Sequence, residues 1–312
     1  MPLPFALDHI NLWVLDDGDG WTLVDTGISD VTTMELWNRI LSGPLKGKPV
    51  RRLICTHFHP DHMGLAGWLT NKLSIPAYAT PQEWAAGARL QAITPDVFNA
   101  QIAKMASTAG CDEATLTLIR SRTRAGGRIT GPGPSNPLPL DPSASLAAAD
   151  AEWQVIVGEG HSPRLAALYS TEGGVLISGD QILPKITPNV SVQPDALDAD
   201  PLALFLNSLE RFRIAPDDTL VLPSHRLPFR GLHTRIDQQI AHHRDRLDRA
   251  RDACRVTLSA AAVMHVLFPR RLDAHQIGFA LGETLAHLNY LVNRGELARE
   301  PGDILRYRTV AA

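Results

Sequence analysis

The densest group of chemically reactive side chains in the sequence lies between residues 57 and 62. It contains three imidazoles and one carboxylate: His57, His59, Asp61 and His62. Alternation along an extended segment directs His57, His59 and Asp61 to one side, and a turn after Pro60 brings His62 beside Asp61. Buried imidazoles and carboxylates need partners, so this segment predicts a metal site rather than ordinary packing. Its ligands are numerous enough to serve two neighbouring metal ions.

Three later segments repeat one feature, a polar ligand at the end of an apolar, β-prone run. They cover residues 153–161, 174–180 and 220–225, and they end in His161, Asp180 and His225. A single histidine at the end of a strand is more often structural than ligating. Three such segments after a four-ligand cluster favour one shared site instead. Nitrogen and carboxylate ligands suit zinc, with iron or manganese as alternatives.

The complete pattern resembles the ligand set of the metallo-β-lactamase-fold hydrolases, and most closely their glyoxalase II-like branch with two zinc ions. It reads His57-x-His59-x-Asp61-His62, then Gly-x-Gly-His161, Ser-Gly-Asp180 and Pro-Ser-His225. A strand–turn–strand opening over residues 11–27 is similar to that family as well. The resemblance extends over roughly residues 8–230, and no expected ligand is missing.

The resemblance implies a fold and an arrangement of ligands. The fold is α/β, the four-layer αββα metallo-β-lactamase fold. The cofactors are two Zn²⁺ ions per chain, although iron or manganese could replace them. In this family pattern His57, His59 and His161 hold the first ion, Asp61, His62 and His225 hold the second, and Asp180 bridges the two.

This ligand set also predicts a reaction. Zinc lowers the pKa of bound water to about 7, so a hydroxide that bridges the metals can attack an electrophilic carbonyl or phosphorus. We expect Asp61 to orient that hydroxide as the catalytic residue, and Asp25 to support the ligands through hydrogen bonds. Two divalent ions, Asp61, Asp180 and the hydroxide leave about one positive charge in surplus, which favours an anionic small-molecule substrate.

The order of helix and strand signals predicts two domains. Residues 1–230 form the metallo-β-lactamase-like catalytic domain, and residues 81–125 within it form a helical insertion, a place where substrate selectivity commonly resides. Residues 231–312 form a small winged-helix-like domain, similar to that of β-lactamase-like proteins with a carboxy-terminal winged helix. Within it, helices are predicted over 235–251, 258–267 and 274–294, followed by a pair of strands.

The composition of the chain argues against nucleic-acid-binding and membrane proteins. The chain has 312 residues, 44% of them hydrophobic and 20% charged, with a formal net charge of −3. This balance, together with few basic residues in the helix predicted over 274–294, indicates that nucleic acid is not a partner. No apolar run is long enough to cross a bilayer, and three widely spaced cysteines fit a reducing compartment. We therefore expect a cytoplasmic protein without a membrane partner, and a homodimer is an open alternative to a monomer.

Several functions remain open at this stage. The leading hypothesis is a binuclear zinc-dependent hydrolase that acts on a small ester-like substrate, a thioester or a lactone. A phosphodiesterase or ribonuclease of the same fold is the second, and a mononuclear iron sulfur dioxygenase is the third. A non-catalytic binding protein is the fourth, but it has no need for seven convergent metal-seeking groups.

Overall fold

The computed structural model describes residues 1–4, 7–121, 130–143, 145–148 and 151–310. The last residues of the predicted helical insertion, 122–125, lie outside these ranges. No helix among the described residues is both long enough and apolar enough to cross a membrane.

The first β-sheet is built from the amino-terminal part of the chain. Its strands are β1 (Trp13–Asp16), β2 (Trp21–Val24), β3 (Val50–Ile54), β4 (Ala77–Ala79) and β5 (Pro137–Pro139), in the spatial order β1-β2-β3-β4-β5. Strands β1 and β2 form an antiparallel hairpin, and the other pairs are parallel. Parallel neighbours require crossover connections, which is why helices separate the later strands of this sheet along the sequence.

The second β-sheet has the same number of strands but is mostly antiparallel. Its strands are β6 (Leu146–Ala148), β7 (Ala151–Gly158), β8 (Leu165–Ser170), β9 (Val175–Gly179) and β10 (Leu220–Pro223), in the order β10-β9-β8-β7-β6. Only β9 and β10 run parallel to each other. The ends of β7, β9 and β10 precede the three late ligands predicted from the sequence.

The two sheets pack face to face around one apolar core. It contains side chains of both sheets, among them Val24 and Ile54 from the first and Val157, Leu168 and Ile177 from the second. None of these five is more than 8% exposed. Because successive side chains of a strand point to opposite faces, each sheet also has an outer face that helices must cover.

Helices cover the outer face of the first sheet. They are α1 (Val31–Ser42), α2 (Pro60–Met63), α3 (Ala66–Leu73) and α4 (Pro81–Ala92). Helix α1 begins where the Asp30 side chain accepts a hydrogen bond from the Thr33 amide at 2.7 Å. Its Trp37 packs with Leu69 of α3 and Leu53 of β3 in a second core. A 3₁₀ helix, Glu210–Ile214, lies against β7 of the other sheet, which completes the αββα layering.

The remaining elements belong mainly to the carboxy-terminal part of the chain. The helices are α5 (Pro95–Thr108), α6 (Glu113–Arg120), α7 (Pro201–Leu209), α8 (Leu232–Ala253), α9 (Ala260–Leu267) and α10 (Ala274–Asn293). The strands are β11 (Leu258–Ser259), β12 (Leu297–Glu300) and β13 (Arg306–Thr309), and they form an antiparallel sheet in the order β11-β13-β12. The order of α9, α10, β12 and β13 along the chain is the one predicted for a winged helix, although that name stays a prediction.

The chain forms two compact units. The first unit comprises residues 1–92, 126–188 and 208–236, and the second unit comprises residues 93–125, 189–207 and 237–312. Most of the predicted insertion therefore groups with the carboxy-terminal elements. Its α5 and α6 pack against α10, and the Leu305 and Ala261 amides donate to the carbonyls of Thr108 and Ala109. The predicted division at residue 230 into two domains stays a prediction.

Candidate metal centre

All seven residues predicted as metal ligands converge at one edge of the two sheets in the first unit. They are His57, His59, Asp61, His62, His161, Asp180 and His225, and we call them the metal centre. Each follows the end of a strand: β3 for the first four, then β7, β9 and β10 for the others. Loops at strand ends can direct polar groups to a common point while the strands themselves stay in the apolar core.

Three imidazoles form the first group of the metal centre. The distance from His57 Nε2 to His59 Nδ1 is 2.9 Å, and from His57 Nε2 to His161 Nε2 it is 3.3 Å. One ring nitrogen has a single proton or a single lone pair, so it cannot make both contacts as good hydrogen bonds. Two nitrogen ligands of one tetrahedral zinc ion lie about 3.3 Å apart, given zinc–nitrogen bonds of about 2.0 to 2.1 Å. The spacing therefore fits a shared cation.

Two histidines and a carboxylate form the second group. Asp61 Oδ2 lies 3.4 Å from His225 Nε2 and 3.8 Å from His62 Nε2. The ligand atoms of these three residues are all within 4.8 Å of one another. This group has the same nitrogen and oxygen donors that divalent transition metals prefer.

The carboxylate of Asp180 contacts both groups. Its Oδ1 lies 3.5 Å from His62 Nε2 and 3.5 Å from His225 Nε2, while its Oδ2 lies 3.5 Å from His161 Nε2. Two oxygens of one carboxylate thus face two separate sets of imidazoles. The Asp180 carboxylate is therefore within reach of both groups.

The residues present fit divalent cations. Within the described part of the chain, His62 Nε2 and Asp180 Oδ1 are buried polar atoms without a hydrogen-bond partner. Leaving a buried donor or acceptor unsatisfied costs about 1–3 kcal/mol, and more for charged groups. A cation in the second group would contact both atoms, so their arrangement supports metal binding.

A buried aspartate outside the ligand set orients His62. The Asp25 Oδ2 accepts a hydrogen bond from His62 Nδ1 at 2.8 Å, and its Oδ1 accepts one from the Thr56 amide at 2.7 Å. Asp25 adopts a left-handed backbone conformation with φ of 64°, which Asp tolerates better than most residues. Because Nδ1 donates to Asp25, Nε2 of His62 is the nitrogen that faces the metal centre.

His225 is oriented in a similar way by the backbone. Its Nδ1 donates to the His9 carbonyl at 2.9 Å, which leaves Nε2 directed at Asp61 and Asp180. Asn11 holds the same loop through hydrogen bonds to the carbonyls of Pro223 and Arg226. The amino-terminal segment therefore positions a ligand more than two hundred residues away, at a separation of 216.

A fully buried glutamate joins the two loops that contribute the first group, and sequence reasoning missed it. Glu83 Oε2 accepts from the Phe58 amide at 2.9 Å, and Oε1 accepts from Ser162 Oγ at 2.8 Å and the Arg164 amide at 2.6 Å. In sequence, Thr80-x-x-Glu83 is the pattern of a local capping box at a helix start. That signal indicates α4 but says nothing of the long-range contacts.

Burial and mutual charge shift the acidities in the metal centre. Burial lowers the pKa of His57 well below its usual range and that of His59 to about 3. Burial also opposes ionisation of Asp61 and Asp180, but the facing imidazoles, chiefly His62, outweigh it and lower the pKa of both carboxyls. Burial opposes the charged form of His225 too, yet Asp180 raises its pKa to about 10. The centre thus keeps its carboxylates charged, as metal ligands must be.

Comparison with known proteins agrees with this geometry. Residues 6–251 match the family model of the metallo-beta-lactamase superfamily, and residues 247–310 match that of the metallo-beta-lactamase-like carboxy-terminal domain. The chain belongs to the metallo-beta-lactamase superfamily. The predicted family and αββα fold are confirmed, whereas the glyoxalase II-like branch stays a prediction. At this level the protein is a metallo-beta-lactamase superfamily hydrolase with His and Asp clusters suited to divalent metals.

Two solved structures of similar proteins cover nearly the whole chain, and a third covers about three quarters of it. A beta-lactamase domain protein from Burkholderia ambifaria is 42% identical, with a TM-score of 0.90 over 99% of this chain and 91% of that one. A metallo-beta-lactamase family protein from Thermus thermophilus is 30% identical, with a TM-score of 0.81 over 99% and 97%. TTHA1623, solved in a di-iron-bound form, is 27% identical, with a TM-score of 0.50 over 76% and 98%. No curated protein matches the chain significantly.

Proposed function

We propose that this protein is a binuclear metal-dependent hydrolase that cleaves a small, anionic, ester-like substrate, a thioester or a lactone. The observation that carries the proposal is the position of Asp180, whose two oxygens face the two groups of imidazoles at 3.5 Å each. A single carboxylate between two sets of nitrogen ligands serves a pair of ions, whereas a mononuclear enzyme needs only one set.

The donor chemistry and one similar protein support two ions. Five imidazoles and two carboxylates provide three terminal ligands for each ion besides the bridge, and this donor set suits zinc or iron. TTHA1623 has been solved in a di-iron-bound form. We propose zinc as the usual metal because nitrogen-rich sites with carboxylates favour it, and iron as the alternative.

In the proposed reaction the ions and the side chains have different roles. Divalent ions in the centre supply Lewis acidity, which lowers the pKa of water to about 7 and offsets negative charge that develops on the substrate. Asp25 and Glu83 keep the ligand loops in place, so the site needs little reorganisation during the reaction. We assign the proton-accepting role to Asp61, because its side chain is 18% exposed whereas that of Asp180 is only 10% exposed.

Charge favours an anionic substrate. Two divalent ions carry four positive charges, and Asp61 and Asp180 cancel two of them. The five histidines of the centre are neutral when they bind metal, so they offset none of the remaining charge. A substrate with a carboxylate, or one that develops an oxyanion, would therefore be attracted to the centre and stabilised there.

The proposal extends to partners and location. We propose a small-molecule substrate rather than nucleic acid, because the net charge of −3 gives no overall basic character. We also propose a reducing compartment, the cytoplasm. All three cysteines lie within the described ranges and form no disulfide, and Cys55 and Cys254 are buried.

The test combines metal analysis with hydrolysis of three probes. Purified protein would be analysed for zinc and iron and then assayed on S-lactoylglutathione, a γ-lactone and bis-p-nitrophenyl phosphate. We expect two ions per chain and turnover of the thioester or the lactone. The isosteric variant Asp61→Asn should lose most of the turnover, and Asp141→Asn, a change at an exposed loop, should not. Turnover of the phosphodiester alone, or one tightly held iron, would contradict the proposal.

A further inference from the structure

A second cluster of metal-seeking side chains lies entirely within the second unit. It comprises His243 on α8 with Glu283 and His287 on α10, and we call it the α8–α10 cluster. One ligand atom from each residue lies within 4.8 Å of the other two. Both histidines are 0% exposed, and the Glu283 side chain is 12% exposed. A buried group of this composition has no role in the reaction proposed above.

Helix geometry places the two α10 residues on one face. Glu283 and His287 are four positions apart, so their side chains are neighbours one turn along the helix. The His287 Nδ1 donates to the Glu283 carbonyl at 2.7 Å. This bond determines the tautomer of His287, and its Nε2 therefore carries the lone pair that faces His243.

The two imidazoles are spaced as ligands of one ion. His243 Nδ1 lies 3.2 Å from His287 Nε2, and two nitrogen ligands of tetrahedral zinc lie about 3.3 Å apart. Nδ1 is therefore the atom with which His243 would bind the ion, and Nε2, on the other side of the ring, has no hydrogen-bond partner in the described part of the chain.

We propose that His243, Glu283 and His287 form a separate binding site for a zinc-like divalent cation, with water as the remaining ligand. Two imidazoles and one carboxylate are a known zinc donor set. Because the ligands come from α8 and α10, a bound ion would join these two helices and stabilise the second unit. The inference does not depend on the proposed hydrolase activity.

Two neighbours share the carboxylate of Glu283. Arg246 Nη1 lies 3.3 Å from Oε1, and Asn189 Nδ2 donates to Oε2 at 3.3 Å. The Arg246 guanidinium also stacks on Phe268, 4.4 Å from the ring centroid, and its Nη1 makes no hydrogen bond among the described residues. This ion pair is therefore poorly aligned, and a divalent cation at the carboxylate would compete with it effectively. The arrangement without metal is a hydrogen-bonded imidazole pair beside an Arg–Glu pair.

The number of zinc ions per chain shows whether the α8–α10 cluster binds an ion. Protein dialysed against zinc and then passed through a desalting column would be analysed for metal per chain. We expect His287→Gln to contain one zinc fewer than the wild type and to retain hydrolysis of its substrate. The control His242→Gln changes the adjacent histidine of α8 and should retain the wild-type count. Equal counts in the wild type and His287→Gln would overturn the site.

A second measurement needs no variant of the cluster. Crystals of the wild-type protein, loaded with stoichiometric zinc before crystallisation, would be measured above and below the zinc absorption edge. We expect an anomalous peak between His243, Glu283 and His287 besides those at the metal centre. Peaks at the metal centre alone would refute the second site and leave the proposed hydrolase intact. Peaks at the α8–α10 cluster alone would support the second site and contradict the proposed binuclear hydrolase.

Discussion

The two clusters of histidines and carboxylates in this protein are built from different kinds of backbone. The metal centre takes its ligands from short segments that follow four strands, with Asp61 and His62 in the single turn of α2, whereas the α8–α10 cluster takes them from two long helices. Ligands on these short segments need outside support, and Asp25, Glu83 and the His9 carbonyl provide it. Helix ligands are already held by the helix, and one backbone carbonyl suffices to orient His287.

The two clusters also differ in their exposure to solvent. Asp61 of the metal centre is 18% exposed, more than Asp180 at 10% or Glu283 of the α8–α10 cluster at 12%, so solvent reaches the metal centre at this residue. The α8–α10 cluster is enclosed, and its histidines are fully buried. We infer catalysis at the first and stabilisation at the second.

The largest expected effect is at Asp180, which we propose as the ligand shared by two ions. Replacing Asp180 by Ala removes the group shared by both sets of imidazoles, so we expect loss of both ions and a fall in kcat/KM of at least about 10³-fold. Metal analysis and hydrolysis assays measure the two effects on the same preparation. If Asp180→Ala retains both ions, the bridging assignment is wrong. Each group of the metal centre would then bind its ion without a shared carboxylate, as the α8–α10 cluster does.

The support around the loop ligands gives the second effect. Glu83→Gln replaces a carboxylate that accepts three hydrogen bonds with an amide that brings an N–H group against donors. We expect metal affinity at the centre to fall roughly 10- to 100-fold, as for other residues that support metal ligands. Competition with a chromogenic chelator measures this affinity.

Glu35→Gln is the control for that variant, since it makes the same chemical change at an exposed position on α1. We expect wild-type affinity in the control and an unchanged circular dichroism spectrum in both. Wild-type affinity in Glu83→Gln would mean that these loops keep their positions without the glutamate.

Chelation gives a smaller effect that separates the two clusters. A ligand that binds only the folded state raises the melting temperature, and its removal lowers it. We expect EDTA to lower the Tm of Asp180→Ala, which lacks the first centre, by a few degrees through loss of the ion at the α8–α10 cluster. The double variant Asp180→Ala/His287→Gln should show no such decrease. Differential scanning calorimetry would detect both, and equal decreases in the two variants would count against the second site.

The smallest effect concerns a buried polar atom outside both clusters. Tyr307 Oη in β13 has no hydrogen-bond partner among the described residues. Tyr307→Phe keeps the ring and removes only the hydroxyl, so we expect the free energy of unfolding to change by less than about 1 kcal/mol at neutral pH. Urea denaturation measures the change. A large loss of stability would reveal an unrecognised partner of the hydroxyl.

The same residue predicts a pH dependence in strong base. Burial raises the pKa of Tyr307 to about 12, whereas an unfolded tyrosine has a pKa of about 10. The folded state therefore favours the protonated hydroxyl, and its contribution is fully present below pH 10 and decreases as the pH rises toward 12. Tyr307→Phe should remove this part of the alkaline loss of stability. Identical alkaline unfolding curves for the wild type and the variant would exclude it.

Much of the metal centre could be predicted because its signals are local. His57, His59, Asp61 and His62 stand within six positions, and His161, Asp180 and His225 each follow an apolar strand. Strand ends lie at the edges of sheets, so residue type and position in the strand together indicate convergence. The resemblance to the family added the division of ligands between two ions.

The helices were also largely predictable. The sequence indicated a helix over 235–251, and α8 spans Leu232–Ala253; it indicated one over 274–294, and α10 spans Ala274–Asn293. Helical periodicity extends over many residues, which makes such elements visible in sequence, while their ends depend on caps. The sequence does not predict the grouping of α5 and α6 with the carboxy-terminal elements, because that grouping depends on which apolar faces meet.

The sequence by itself determined the ligand types, their order along the chain and the strands that carry them, because these depend on composition and short-range periodicity. Only the tertiary structure decided the role of Glu83, whose hydrogen bonds reach residues 25, 79 and 81 positions away. It alone also brought His243 to His287, 44 positions apart. Contacts between residues so distant in sequence arise from the packing of whole elements, and no local pattern encodes them.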